Sequence, residues 1–313
     1  MHRPHRRVGS DAYAAGMHTE VPRIDAGLVE RLVAEQFPDW ADLPVREVDH
    51  QGWDNRTYRL GDALSVRLPS AAGYVPAVEK EQDVLPYLAR RLDVAVPEPV
   101  ALGEPGQGYP FPWSVRRWLD GVPAVQVDDL DHERFAAEVG AVLRQLRSVP
   151  ATGGPTAGAH SFHRGEHPSV YDAEVRAALD TLGSGRAGRS VVDRGACEAV
   201  WAEALASRWD APAVWFHGDV APGNLLVDDT GRLCAVIDFG TCGVGDPACD
   251  LVLAWTMLDG PARRVFRQSV DLDDDTWARA RGWALWKALI MLAGSAGPGD
   301  RDEHERVLAA VLG

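Results

Sequence analysis

Lysine is nearly missing from this 313-residue chain: Lys80 and Lys287 are the only two, and arginine supplies the other thirty of its 32 basic side chains. Almost any basic contact therefore falls to a guanidinium, which is planar and permanently charged, unlike an ammonium. Long hydrophobic runs are missing too. No stretch of about 18 apolar residues occurs, which speaks against a membrane-spanning helix. Arg3, Arg6 and Arg7 at the start are followed by no apolar segment of the kind a secretory leader carries. The expectation is a cytoplasmic protein. Cysteine is scarce: Cys197, Cys234, Cys242 and Cys249 show no CxxC spacing and read as reduced thiols, not as disulfide or zinc partners. Positive charge is in deficit, with a formal net charge of −14. That argues against a nucleic-acid partner and is compatible with a cationic ligand. The partner expected is a small molecule, with no nucleic acid and no membrane, and with the oligomeric state left open.

What is present is an ordinary globular composition, 46% hydrophobic and 25% charged, with enough length for two modest lobes. Residues 1–24 read as a tail. Asp25 is placed to cap a helix running to about Asp39, with Leu28, Leu32, Val33 and Phe37 on one face. The period then shifts to two, giving short strands near 45–48, 57–60 and 64–68, the last two joined by the tight turn Gly61-Asp62. A helix over 76–91 and strands near 100–102 and 113–119 follow. After Asp120-Gly121 the pattern turns helical, strongest from 129 to 147, with a β-rich insertion at 213–239. The fold class predicted is α+β: a small β-rich N-terminal lobe over 25–116, a connector at 117–121, and a larger helical C-terminal lobe over 122–313.

The densest polar signal lies in that β-rich insertion. Ala213-Val-Trp-Phe216 runs into His217-Gly218-Asp219-Val220-Ala221-Pro222-Gly223-Asn224 and then Leu225-Leu226-Val227. After a turn, Leu233 to Ile237 ends in Asp238-Phe239-Gly240. Phosphoryl transfer needs a carboxylate to accept or orient the acceptor's proton, and hard oxygen ligands for Mg²⁺. The kinase template sets a catalytic Asp, an Asn five residues later and the Asp of a DFG triplet in that order. Asp219, Asn224 and Asp238 have this order and spacing.

His217-Gly218-Asp219-x-x-x-Gly223-Asn224, followed by Ile237-Asp238-Phe239-Gly240 and Gly245-Asp246-Pro247-x-x-Asp250-Leu251, resembles the aminoglycoside phosphotransferase family. Protein kinases usually carry Arg where Gly218 stands. The resemblance runs from about residue 25 to the C-terminus and implies a bilobal, protein-kinase-like fold using ATP or GTP with Mg²⁺. It implies Asp219 as catalytic base, Asn224 and Asp238 as magnesium ligands, and His217 as a buttress of the loop. Many relatives read Leu-His where this chain has Val220-Ala221, so a polar side chain is missing near the acceptor side.

On the nucleotide side, the resemblance implies a basic residue on the third strand paired to a helix glutamate. Arg67 and Glu81 are the candidates. Asn55, at the end of Gly52-Trp53-Asp54-Asn55, is a candidate phosphate contact, and Arg117 and Leu119 of the connector are expected to offer backbone groups to the purine. On the acceptor side the candidates are His163, in Phe162-His163-Arg164-Gly165, Asp250, which could instead hydrogen-bond the catalytic loop or face the core boundary, and Trp283, for which core packing is the default. Asp246-Pro247 reads as a helix cap. The function expected is phosphorylation of a small-molecule hydroxyl, an aminoglycoside or other antibiotic first, with a metabolite kinase or a weakly active nucleotide-binding module as alternatives.

Overall fold

The computed structural model describes residues 23–49, 51–52, 54–183, 192–294 and 300–313. Residues 1–22 of the expected tail, and Trp53 of the expected phosphate loop, lie outside them. The chain forms two compact units, one ending at Pro86 and resuming over Pro97–Leu119, the other made of Tyr87–Val96 and Asp120–Gly313. These limits differ from those expected. Tyr87–Val96 goes with the second unit because its polar groups are satisfied there: Tyr87 Oη donates to the Pro150 carbonyl, the Asp93 N–H to Gln145 Oε1, and Ala95 bridges Ala235. Arg117 and Trp118 go with the first because their N–H groups donate to the carbonyls of Glu98 and Ala63.

In the first unit, Asp25 accepts from the Leu28 N–H at 2.9 Å and caps α1 (Ala26–Gln36). The helix stops short of Asp39 because Pro38 forces the preceding residue out of the helical region: Phe37 has φ −133° and ψ 71°. A five-stranded antiparallel sheet follows in the order β1 (Val45–Glu47), β2 (Asn55–Leu60), β3 (Leu64–Pro69), β5 (Trp113–Arg117), β4 (Pro99–Gly103). Leu28 and Leu32 of α1 pack with Tyr58, Leu60, Val66, Leu68, Trp113 and Val115, all buried. Burying each of these side chains is worth about 2 kcal/mol. Strand alternation turns Ser65 and Arg67 of β3, and Ser114 and Arg116 of β5, away from the Val66, Leu68 and Val115 face. The Val75–Ala89 helix, α2, supplies Glu81 to that opposite face.

In the second unit, α3 (His132–Ser148) is capped by Asp131, whose carboxylate accepts from the Arg134 N–H. The strands β6 (Val122–Pro123), β8 (Leu225–Val227) and β9 (Leu233–Val236) form one small sheet, with β8 and β9 a hairpin. The strand β7 (Val214–Phe216) lies outside this hairpin and pairs with β10 (Gly243–Gly245), so the segment after Asp238 returns beside the strand that leads into Asp219. The helices α4 (Asp172–Gly183), α5 (Arg194–Ala206), α6 (Leu253–Thr256), α7 (Gly260–Val270), α8 (Asp274–Leu292) and α9 (Arg301–Leu312) complete it. In α8, thirteen positions, from Thr276 to Leu292, are buried on every side, marking it as the central helix of the unit. No described helix is long and apolar enough to cross a membrane.

Candidate active site

The loop between β7 and β8 is built on His217. Its Nδ1 accepts the Asp219 N–H at 3.2 Å, and its Nε2 lies 3.0 Å from the Ile237 carbonyl. An N–H can only donate and a carbonyl can only accept, so the imidazole is neutral with its proton on Nε2. A buried ring, stacked edge-on against Phe239 at 4.5 Å, thus ties the loop to the segment preceding Asp238. Asp219 itself is exposed. Its Oδ2 and its carbonyl both accept from Asn224 Nδ2 at 3.0 Å. The Asn224 carbonyl accepts from the Ile237 N–H at 2.9 Å. The structure therefore brings Asp219, Asn224 and the strand end carrying Asp238 together within one unit. With Nδ2 committed to Asp219, the Asn224 amide turns its oxygen elsewhere.

Two backbone features hold this loop in shape. Gly218 has φ +87°, and a Cβ there would lie 2.8 Å from the Thr241 carbonyl and Oγ1, so only glycine fits. Asp238 adopts the left-handed conformation with φ 64° and ψ 66°, uncommon for a non-glycine residue and frequent at functional sites. Thr241 Oγ1 donates to the His217 carbonyl at 3.0 Å, closing the contact from the other side.

Asp250, a candidate for the acceptor side or for bonding the catalytic loop, takes the second place and is buried beneath the loop. Its two carboxylate oxygens accept the N–H groups of His217 at 2.8 Å and Gly218 at 2.7 Å. Burial raises its pKa above the ordinary aspartate value, and those two backbone donors act in the opposite direction. Trp283 is also no surface residue: it is 3% exposed and packs edge-on against Tyr171 at 5.8 Å and Trp286 at 5.5 Å. Its place on the central helix makes burial the stronger demand. Asp246 caps the turn at Ala248, as its sequence suggests, and also pairs at 2.6 Å with Arg279, a fully buried arginine. Burial raises the Asp246 pKa, with Arg279 acting in the opposite direction.

His163 lies on a tightly bonded loop. Phe162 and His163 are consecutive left-handed residues, with φ 47° and 58°. Tyr171 Oη donates to the Phe162 carbonyl at 2.8 Å, and the His163 N–H donates to the Gly158 carbonyl. His163 Nδ1 lies 2.8 Å from Glu166 Oε2, both side chains being more than a third exposed. Gly165 packs so closely on Phe216 that a Cβ would fall 2.0 Å from that ring, and its carbonyl accepts from the Asp246 N–H. The loop is thereby fastened beside the strand leading into Asp219. His160 and His167 bond elsewhere, to Thr156 and Ser207.

In the first unit Glu81 is buried at 2% exposure, and its principal partner is a residue not singled out in the sequence. Arg116 Nη1 and Nη2 donate to Glu81 Oε1 and Oε2 at 2.9 and 2.8 Å. Arg67, the expected partner, forms a longer ion pair with the same carboxylate, its Nη1 standing 3.7 Å from Oε1. The signal for Arg116 was available: period-two alternation places it on the same face of the sheet as Arg67, one strand away. Asn55 opens β2 opposite Pro69. Arg117 is exposed, and its backbone N–H is engaged by the Glu98 carbonyl. Leu119, half-buried, follows it at the end of the unit.

Comparison with known proteins accords with this geometry. The model of the phosphotransferase enzyme family matches residues 45–283. An aminoglycoside 3'-phosphotransferase of Streptomyces fradiae is 29% identical over 206 residues, which span 63% of this chain and 66% of that relative. Among solved structures, the GDP complex of aminoglycoside 2'-phosphotransferase-IIIa superposes with a TM-score of 0.66 at 18% identity, covering 92% of this chain and 97% of the other. The macrolide 2'-phosphotransferase of Brachybacterium faecium does so with a TM-score of 0.59 at 24% identity and the same coverage. The α+β, kinase-like fold is that of these enzymes. The match from β1 into the central helix takes in every strand of both units together with the loop holding Asp219, and on that ground this chain belongs to the phosphotransferase enzyme family.

Proposed function

We propose that this protein transfers the γ-phosphoryl group of ATP or GTP to a hydroxyl of a small molecule, with aminoglycosides and macrolides the first acceptor classes to test. The observation that carries the reading is the setting of Asp219: an exposed carboxylate whose loop is pinned by a neutral histidine below and whose Oδ2 is bonded by the asparagine five residues on. One oxygen is oriented by Asn224, and the other is the atom that accepts or aligns the acceptor's proton. His217, its Nδ1 bonded to the Asp219 N–H, positions and takes no proton.

The oxygen-only donor set of the Asn224 amide and the Asp238 carboxylate fits a hard cation. These two residues would hold Mg²⁺, which when bound neutralises phosphate charge. Arg67 would contact the phosphates, with Glu81 behind it. Asn55 is a second phosphate candidate, and Leu119 is the connector residue that would meet the purine. On the acceptor side, the His163–Glu166 pair presents a carboxylate and an imidazole beside the loop. A carboxylate there suits a cationic acceptor, as does the net charge of −14.

A coupled assay of nucleoside-diphosphate release, run with ATP and with GTP across aminoglycosides, macrolides and amino alcohols, tests the reading. Acceptor-dependent turnover that Asp219→Ala abolishes is expected. A wild-type protein that binds nucleotide and turns over nothing is a binding module, and the proposal fails. Turnover with a metabolite and no antibiotic keeps the transfer and rejects the antibiotic acceptor.

A further inference from the structure

The segment Gly165-Glu166-His167, which ends the loop of His163, is tied at both ends to one buried arginine. Arg279 stands on the central helix α8 with no exposure to solvent. Its Nε donates to Asp246 Oδ2 at 2.6 Å, its Nη2 to Thr276 Oγ1 at 3.1 Å and its Nη1 to Ser207 Oγ at 3.3 Å. Asp246 and Ser207 pass the constraint on through their main chains. The Asp246 N–H donates to the Gly165 carbonyl at 2.8 Å, and the Ser207 carbonyl lies 2.9 Å from His167 Nε2. His167 Nδ1 accepts the Ser169 N–H, so its proton is on Nε2 and is donated to Ser207. Four residues beyond Asp246, Asp250 accepts the N–H groups of His217 and Gly218. The loop of His163 and the loop of Asp219 are therefore fastened to the same short turn.

Stability alone does not call for such a group. A buried ion pair can be replaced by well-packed apolar residues at little or no cost in stability. What apolar residues do not supply is direction: the guanidinium is a planar fork whose bonds fix Asp246 and Ser207 against α8. We infer that Arg279 is a positioning residue for the acceptor. It sets where the His163–Glu166 loop sits relative to Asp219, and so decides which hydroxyl of a polyhydroxylated acceptor reaches that carboxylate. The inference rests on the transfer reading above and deepens it. A displacement of about 1 Å far from the reacting atoms can cost about 10²-fold in rate. On an acceptor with several hydroxyls the same displacement brings a different one to the base.

Hydrogen exchange of the full chain, read by mass spectrometry beside a thermal melt, tests the inference without any acceptor. Arg279→Lys keeps the charge and loses the fork. The amides of His163, Arg164 and Glu166, bonded to the carbonyls of Gly158, Ser161 and His163, are expected to exchange about tenfold faster. The Ile237 amide, bonded to the Asn224 carbonyl, is expected to be unchanged. Phe266→Leu, a cavity made where Phe266 packs on Trp277, is the control for lost stability and is expected to leave the loop amides as they are. Should Arg279→Lys give no cooperative melt, Arg279→Met/Asp246→Asn removes both charges, strands neither, and is expected to show the same loosening. With kanamycin as the acceptor probe, KM is expected to rise about tenfold and a second phosphorylated regioisomer to form, while Mg·ADP affinity stays within about twofold of wild type. The inference is overturned when the loop amides exchange as in wild type, when Ile237 accelerates equally, or when turnover falls with acceptor KM and product unchanged. A wild type inert toward every acceptor screened overturns the transfer reading instead, and loop exchange then still decides whether Arg279 holds the loop.

Discussion

Glu81 in the first unit and Asp250 in the second are both buried carboxylates, and the two are held in opposite ways. Glu81 is held by side chains, a bidentate guanidinium from β5. Asp250 is held by main chain, the successive N–H groups of His217 and Gly218. Backbone donors survive substitution at their own positions, so this contact fixes the path of the loop itself, although it depends on the one side chain of Asp250. A side-chain anchor fixes only a neighbouring side chain and can be retuned by single changes. The region proposed for chemistry is thus built rigidly, and the region proposed for nucleotide binding adjustably. Arginine in the place of lysine falls in the adjustable one.

The sharpest way to test this contrast is to remove the reacting group while leaving its scaffold. Asp219→Asn is expected to lower kcat about 10³-fold with nucleotide affinity and melting temperature nearly unchanged, because the side chain is exposed. Single-turnover kinetics and a melt check it; a large fall in stability would show that Asp219 belongs to the scaffold. Breaking the backbone anchor comes next. Asp250→Ala strands two buried N–H groups and is expected to cost about 3 kcal/mol in denaturant unfolding, with loss of turnover and a smaller effect on nucleotide binding. Unchanged stability would refute the anchor.

The adjustable region should respond differently. Arg67→Gln is expected to weaken nucleotide binding about tenfold at unchanged fold stability, since its side chain retains access to solvent. An equal loss in kcat with no change in affinity would move Arg67 out of the binding role. The smallest effect is on pH dependence. The Asp250 pKa is raised from 3.8 by burial, so its proton favours the folded state. That contribution is complete below the ordinary aspartate value and is lost as pH rises through the higher folded value. Asp250→Asn cannot ionise, so its stability should gain on wild type across that window, read from urea melts between acid and neutral pH. A constant difference across the range would contradict the raised pKa.

The comparison also shows which kinds of residue a sequence exposes. Asp219, Asn224 and Asp238 stand out because a short loop and a hairpin set their spacing along the chain, and local geometry carries that spacing into space. The α+β class and the family resemblance rest on the same local regularities and are borne out. For Asp250 and Trp283 the sequence left two readings open, an acceptor contact or a role in the loop and core, and burial decided for the second: Asp250 bonds the catalytic loop and Trp283 packs in the core. That the Arg117 N–H meets the Glu98 carbonyl is not legible from its position in the connector. Helix ends governed by a single residue, such as Pro38, were legible in principle from that residue's own steric demands.

Strand alternation, helix caps, the Asp-Asn-Asp order and the dearth of lysine were determined by the sequence alone, since each depends on neighbours a few residues apart. Tertiary structure alone decided which arginine takes Glu81, which carboxylate lies under the His217-Gly218 backbone, and that β7 pairs with β10 outside the hairpin. The reason is physical: hydrogen bonds and ion pairs between groups far apart in the chain are chosen by burial and by which donors remain unpaired, and those quantities exist only once the chain has folded.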